Sequence, residues 1–142
     1  MIRIILGWAC LATLALAAPA GEWRPSPREI REPVKAVVDA QLAAFRRVDF
    51  PAAYAWACAA LQRQFPPELF AAMIRRGYPG LLRHQRADLG IVRDNQQGRA
   101  QVEVEVTPAQ GDGQYYRYWL VREAGGWRVE GVVVAAAPTD RL

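Results

Sequence analysis

The chain reads as an α+β domain: three N-terminal helices packed on a four-stranded antiparallel meander sheet. Two patterns carry this expectation. Up to Gly77 the apolar residues recur with the period of a helix, and prolines and a capping aspartate punctuate the joints. From Ala87 onward they alternate with polar residues instead, in four runs separated by short stretches rich in Gly, Pro, Asn and Asp, so consecutive strands pair antiparallel. The helices then cover the inner face of the sheet.

The first twenty residues form an export signal by pattern. Arg3 supplies a positive start, Ile4 to Ala18 an apolar run, and Ala18-Pro19-Ala20 a small-x-small cleavage site. The run is shorter than the roughly 20 residues a spanning helix needs, so cleavage near Ala20 is expected rather than a retained anchor. Cys10 lies inside the run, not after it, which argues against a lipidated cysteine. Residues 21–28 carry Pro25 and Pro27 and read as a polar tether, disordered to about residue 28. Residues 29–137 form a single domain, and 138–142 a tail. A periplasmic or secreted location follows, with no transmembrane segment after cleavage.

Ser26 to Glu29 spells S-x-x-E, a capping box for the first helix, although Pro33 would also fit a start at Arg31 or Glu32. Ile30, Val34, Val37, Val38, Leu42, Phe45 and Val48 form its inward stripe. Asp49 can cap a second helix whose first turn tolerates Pro51, with Phe50, Ala53, Tyr54, Ala57 and Leu61 inward. Pro66-Pro67 stops it. Pro67 then opens a third helix with Glu68 in its first turn, Leu69, Phe70, Met73 and Ile74 inward, and Arg75-Arg76 before Gly77 at its end.

Tyr78-Pro79-Gly80 is a turn, and Leu81 to Arg86 an unassigned connector. The strands are expected at about Ala87 to Arg93, Arg99 to Thr107, Gln114 to Glu123 and Trp127 to Ala135. In the second, Ala100, Val102, Val104 and Val106 face the core. In the third, Tyr116, Tyr118 and Leu120 do, and Arg117 marks the opposite side as exposed. In the fourth, Trp127, Val129, Gly131 and Val133 share a face.

With 52% hydrophobic and 23% charged residues the chain is ordinarily globular. The net charge of +4 is modest, and removal of Arg3 lowers it further, so a nucleic-acid partner is not expected. After cleavage Cys58 is the one cysteine left, which excludes an internal disulfide; between alanines on a helix it reads as a small buried hydrophobe rather than a catalytic thiol. One histidine, one mature cysteine and no carboxylate cluster give no metal site, no glycine-rich loop follows a strand, and no cofactor is expected. Arg75, Arg76, Arg83, Arg86 and Arg93 are read as a solvated basic face, with an anion or acidic-partner site as the alternative.

Gln41-Leu42-x-x-Phe45, Asp49, Ala53-Tyr54, Phe65-x-x-x-x-Phe70-x-x-Met73, Tyr78 and Gly126-Trp127-Arg128-Val129-x-Gly131 together resemble the bacterial family called domain of unknown function 4864. Helices followed by a bent meander also resemble the nuclear transport factor 2-like, cone-shaped α+β superfamily. The similarity spans about Val34 to Val134. Two places depart from the family pattern: Ala57-Cys58-Ala59 stands where a serine-proline pair commonly follows the second helix, and Val132 where a cysteine often follows the last strand's glycine.

The superfamily resemblance implies a cavity between the concave sheet and the first and third helices. Gln41, an amide on an apolar stripe, and the inward tyrosines Tyr54, Tyr78, Tyr116 and Tyr118 are therefore the candidate ligand-binding residues, with Trp127 beside them. The leading expectation is a non-enzymatic domain that binds a small ligand or an envelope protein. One alternative is an isomerase- or dehydratase-type enzyme using His84 and Asp88 as an acid-base pair, the only such pair available. Another is a homodimeric interaction module that uses Tyr115, Trp119 and Val121 on the outer sheet face.

Overall fold

In a computed structural model, residues 21–138 are described; the expected signal segment 1–20 and all but the first residue of the expected tail 138–142 lie outside them. The order is β1 (Arg24–Pro25), α1 (Arg28–Arg46), α2 (Phe50–Ala55), α3 (Ala59–Gln64), α4 (Pro67–Gly77), α5 (Pro79–Arg83), β2 (His84–Asp94), β3 (Arg99–Pro108), β4 (Gln114–Glu123) and β5 (Gly126–Ala135). The α+β class and the antiparallel meander from β2 to β5 agree with the sequence reading. Among the described residues the counts differ, with five helices for three and five strands for four.

The extra strand comes from the expected tether. Arg24 and Pro25 pair antiparallel with Asp94 and Arg93, and the Ser26 N–H donates to the Val92 carbonyl at 2.8 Å. Ser26 is thus drawn away from the helix it was expected to cap. Its hydroxyl donates to Asp94 Oδ1 at 2.6 Å, α1 begins after Pro27 without a side-chain cap, and Pro33 sits on its exposed face. A proline there costs the helix one backbone hydrogen bond but turns no ring into the core.

The core stripe of α1 is as expected up to Phe45: Val34, Val37, Val38, Leu42 and Phe45 are buried, with Gln41 among them. Val48 departs from it. The Val48 N–H donates to the Phe45 carbonyl and the Asp49 N–H to the Ala44 carbonyl, both at 2.9 Å, which is the paired bonding of a Schellman motif. That motif forces its central residue left-handed, and Val48 has φ 56° and is 51% exposed. Asp49 then caps α2 by accepting from the Ala52 N–H at 3.1 Å.

The second helix expected from the sequence is two. After Ala55 the chain leaves helical geometry so that the Cys58 N–H can donate to the Val129 carbonyl and the Val129 N–H to the Trp56 carbonyl, both at 2.8 Å. Cys58 restarts the helix as its N-cap, with Sγ accepting from the Leu61 N–H at 3.4 Å. The joint at Pro66-Pro67 and the whole of α4 follow the sequence, except that Leu69 points to solvent at 52% exposure. The expected turn at Pro79-Gly80 and the first half of the unassigned connector fold instead as α5, whose Leu81 is fully buried, and His84 to Arg86 of the connector open β2, which therefore starts before the expected Ala87.

Three register shifts set which strand residues face the helices. In β2 the partners of the buried positions of β3 are Ala87 for Val106, Leu89 for Val104, Val92 for Val102 and Asp94 for Ala100, with His84 opposite Pro108. Extra residues between His84 and Arg86 and between Leu89 and Val92 produce this uneven spacing, as β-bulges do. In β5, Val129 opposes Leu120 while Gly131 opposes Trp119, so one more residue intervenes at Glu130. Beyond the bulge Val132, opposite Tyr118, packs on the core in place of the expected Gly131, while Val133 and Val134 are both exposed, at 46% and 67%. Tyr116, Tyr118 and Leu120 of β4 are buried as expected.

Replacing Val48 with glycine should raise the unfolding free energy by about 1 kcal/mol, because a β-branched residue occupies a left-handed position that glycine adopts without steric cost. Urea denaturation of the two proteins measures it; a lower midpoint for V48G would show that the half-exposed valine contributes more by packing than it costs in backbone strain.

Candidate functional site

Where α1, α3 and α4 meet the edge of β5, the side chains do not close on one another. A cavity of about 230 Å³ remains there. Gln41 and Phe45 of α1, Leu61 of α3, Phe70, Met73 and Ile74 of α4, and Val129 to Val132 of β5 border it, with Phe65 and Tyr78 from the helix joints and Gln64 and Glu130 as further polar members. Larger hollows exist; one of about 400 Å³ beside Tyr115, Tyr116 and Val134 also has largely apolar walls, and the two largest are polar. One of about 580 Å³ lies around Arg93, Glu103 and Arg117 on the outer sheet face, where the Arg117 and Glu103 side chains already pair at 2.7 Å; another of about 560 Å³ runs beside Gly90 and Lys35. The smaller cavity has the mainly apolar, aromatic walls and few polar groups of a ligand site.

Gln41 is 1% exposed and its Nε2 donates to the Ala53 carbonyl at 3.0 Å, which fixes the orientation of the amide. Among the described residues its Oε1 has no hydrogen-bond partner. Tyr78 also borders the cavity, and its hydroxyl donates to the Val132 carbonyl of β5 at 2.8 Å. These two of the five candidate ligand residues are brought together. The Tyr54 hydroxyl lies 2.9 Å from both the Gln62 and Phe65 carbonyl oxygens and, with the Gln62 amide on the Tyr54 carbonyl, locks the α2–α3 turn. Its ring packs edge-on against Phe70 at 5.2 Å, behind the cavity wall.

Tyr116 and Tyr118 point into the core but do not border this cavity. The Tyr116 hydroxyl donates to Gln114 Oε1 at 2.9 Å; burial pushes its pKa up, against a backbone hydrogen bond from Gly80. Tyr118 is fully buried, its hydroxyl without a partner among the described residues, and burial, reinforced by Tyr116, holds it protonated far above the ordinary tyrosine range. Trp127 lies apart as well, under the Arg122 guanidinium at 4.8 Å.

His84 and Asp88 do not meet. The bulge after His84 turns the imidazole inward, where it is 1% exposed, and Asp88 outward, opposite Glu105, where it pairs with Arg86 at 3.0 Å. His84 Nδ1 lies 2.7 Å from the Leu81 carbonyl, so the proton of the neutral ring sits on Nδ1, and among the described residues the bare Nε2 has no partner. Burial lowers the His84 pKa, the Leu81 carbonyl partly offsets this, and the Arg46 guanidinium adds to the lowering. That is the environment of a structural histidine held neutral.

The remaining candidates disperse. Arg75 lies over the Phe50 ring at 4.6 Å, Arg86 is tied to Asp88, and Arg93 belongs to the outer face, so the arginines form no single site. Cys58 is buried at the start of α3. Tyr115, Trp119 and Val121 are half-buried, and the Trp23 ring packs edge-on against Trp119 at 5.5 Å. Among the described residues no group of three His, Cys, Asp or Glu side chains is placed to hold a metal ion. The cavity members that the sequence reading did not single out, Gln64 and Glu130, carry no local signal; Glu130 borders the cavity only because of the bulge in β5.

Because the folded state disfavours imidazolium while the unfolded chain titrates near 6.5, the unfolded state binds more protons below that value, and stability falls as pH drops through it. The difference in unfolding free energy between wild type and His84→Gln should therefore shift against wild type between about pH 8 and pH 5. A difference independent of pH would show that His84 titrates alike in both states.

No curated protein and no solved structure matches the chain. The family model Domain of unknown function (DUF4864) does match, over residues 28–141, a span that begins at the first residue of α1 and contains every element bordering the cavity. The chain belongs to that family.

Proposed function

We propose that this is a non-catalytic binding domain of the cell envelope whose cavity between the helices and β5 receives a small, largely apolar molecule. The observation that carries the reading is the buried amide of Gln41 bordering an apolar cavity that the protein's own side chains leave open. A buried polar group without a partner costs about 1–3 kcal/mol, and replacement by an apolar residue would remove that cost. Retaining such a group on a cavity wall is what a binding site requires and a packing position does not. The helices-then-meander order and the cavity's place beside α1 and α4 also support a cone-shaped fold of the nuclear transport factor 2 kind.

Binding is read directly with 1-naphthylamine, a neutral fluorescent probe of one fused ring pair whose emission shifts in apolar surroundings. The wild-type protein should bind it saturably, and Met73→Trp, which fills the cavity from a half-buried position, should abolish binding while leaving the circular dichroism spectrum unchanged. Absence of saturable binding to wild type, or equal binding to the filled variant, would sink the cavity reading.

Export rests on the positive start, the apolar run and Ala18-Pro19-Ala20. Expressed in a bacterial host, the mature protein should be recovered from the envelope fraction with Gly21 as its first residue. An intact N-terminus in the cytoplasmic fraction would remove the envelope from the proposal.

A further inference from the structure

We infer that the molecule taken up by this cavity is neutral and carries a hydrogen-bond donor, a hydroxyl or an N–H on a compact ring or short chain, which Gln41 Oε1 accepts; the inference rests on the cavity being a binding site. The orientation of the amide is the first support. Nε2 is committed to the Ala53 carbonyl at 3.0 Å, so the group left over is the acceptor and not the donor. That carbonyl does not depend on Gln41, because it also accepts from the Trp56 N–H at 3.2 Å. Bracing the backbone is therefore an incomplete account of why an amide sits there.

The second support is the charge around the cavity. None of the residues that border it is Arg or Lys, and the Glu130 carboxylate is already taken by Arg99 at 2.6 Å. An anionic ligand would lose its hydration with no counter-charge to replace it, and would stand near both Glu130 and an amide oxygen. A cationic ligand would have to compete with Arg99 for Glu130. Tyr78, half-buried, also borders the cavity, and its proton is committed to the Val132 carbonyl, so what it still offers is an oxygen lone pair; Gln64 is exposed. Gln41 and Tyr78 thus present acceptors. The volume of about 230 Å³ limits the ligand to roughly the size of one fused ring pair.

A matched series tests this without knowledge of the natural ligand: 2-naphthol, naphthalene and 2-methoxynaphthalene, with 2-naphthoate as the anion, each titrated by calorimetry into the purified protein. Naphthalene is smaller and 2-methoxynaphthalene larger than 2-naphthol, so size alone cannot rank the donor first. In wild type 2-naphthol should bind about tenfold tighter than either neutral partner, and 2-naphthoate weakest. In Gln41→Leu that advantage should vanish while naphthalene binds at least as well as before; Gln41→Met serves if the leucine variant does not fold, and the wild-type ranking is a test by itself. If the three neutral compounds bind wild type equally, if the naphthoate binds best, or if the preference for naphthol survives in Q41L, the donor inference is overturned while the cavity reading stands. If no member binds, the cavity reading falls and the inference with it.

Discussion

β5 is the edge strand beside the helices, and the backbone groups on its free side must find partners away from a neighbouring strand. Much of the helical layer is arranged around that requirement. The chain between α2 and α3 breaks from helical geometry to exchange two hydrogen bonds with Val129, and three residues further along the Tyr78 hydroxyl caps the Val132 carbonyl. The bulge at Glu130 lies between these two points of attachment. The helices are thus pinned to the edge at two places and held off between them, and the cavity occupies the interval.

The same arrangement explains why the cavity wall is mixed in character. Phe45 on the inner stripe of α1 meets the Phe70 ring of α4 at 6.1 Å, and Tyr54 of α2 meets the same ring at 5.2 Å; these contacts close the wall behind the cavity. Gln41 lies one helical turn before Phe45 on that stripe, where the wall gives way to open volume. Its amide is half satisfied by α2. The unsatisfied half is the chemical content of the site.

Three buried polar atoms lack partners among the described residues, and they do not belong to one place. Tyr118 pairs across the sheet with Val102, whereas His84 pairs with Pro108, six positions further along β3. Their isolation in the core favours the neutral forms of both, and neither borders the cavity. The histidine and the tyrosine that sequence reasoning offers as acid, base or ligand group are therefore components of the core. The amide, the least reactive of the candidates, borders the cavity together with Tyr78.

Local patterns in the chain determined the class of fold, the joint at Asp49, the whole of α4, the three β-hairpins of the meander and the inward tyrosines of β4, because each depends on neighbours a few residues away. The Asp49 cap needs only Ala52, and the alternation of β3 needs only one buried face. Tertiary structure alone decided the rest. Ser26 is taken from its capping box by Asp94, a helix is broken by the needs of Val129, and Arg24–Pro25 becomes a strand against β2. Bulges in β2 and β5 reverse the alternation, which parts His84 from Asp88 and brings Glu130 to the cavity. Those outcomes depend on partners up to 73 residues distant in sequence, as in the pairing of Trp56 with Val129, and no local period of apolar residues encodes which backbone group a distant edge strand will require.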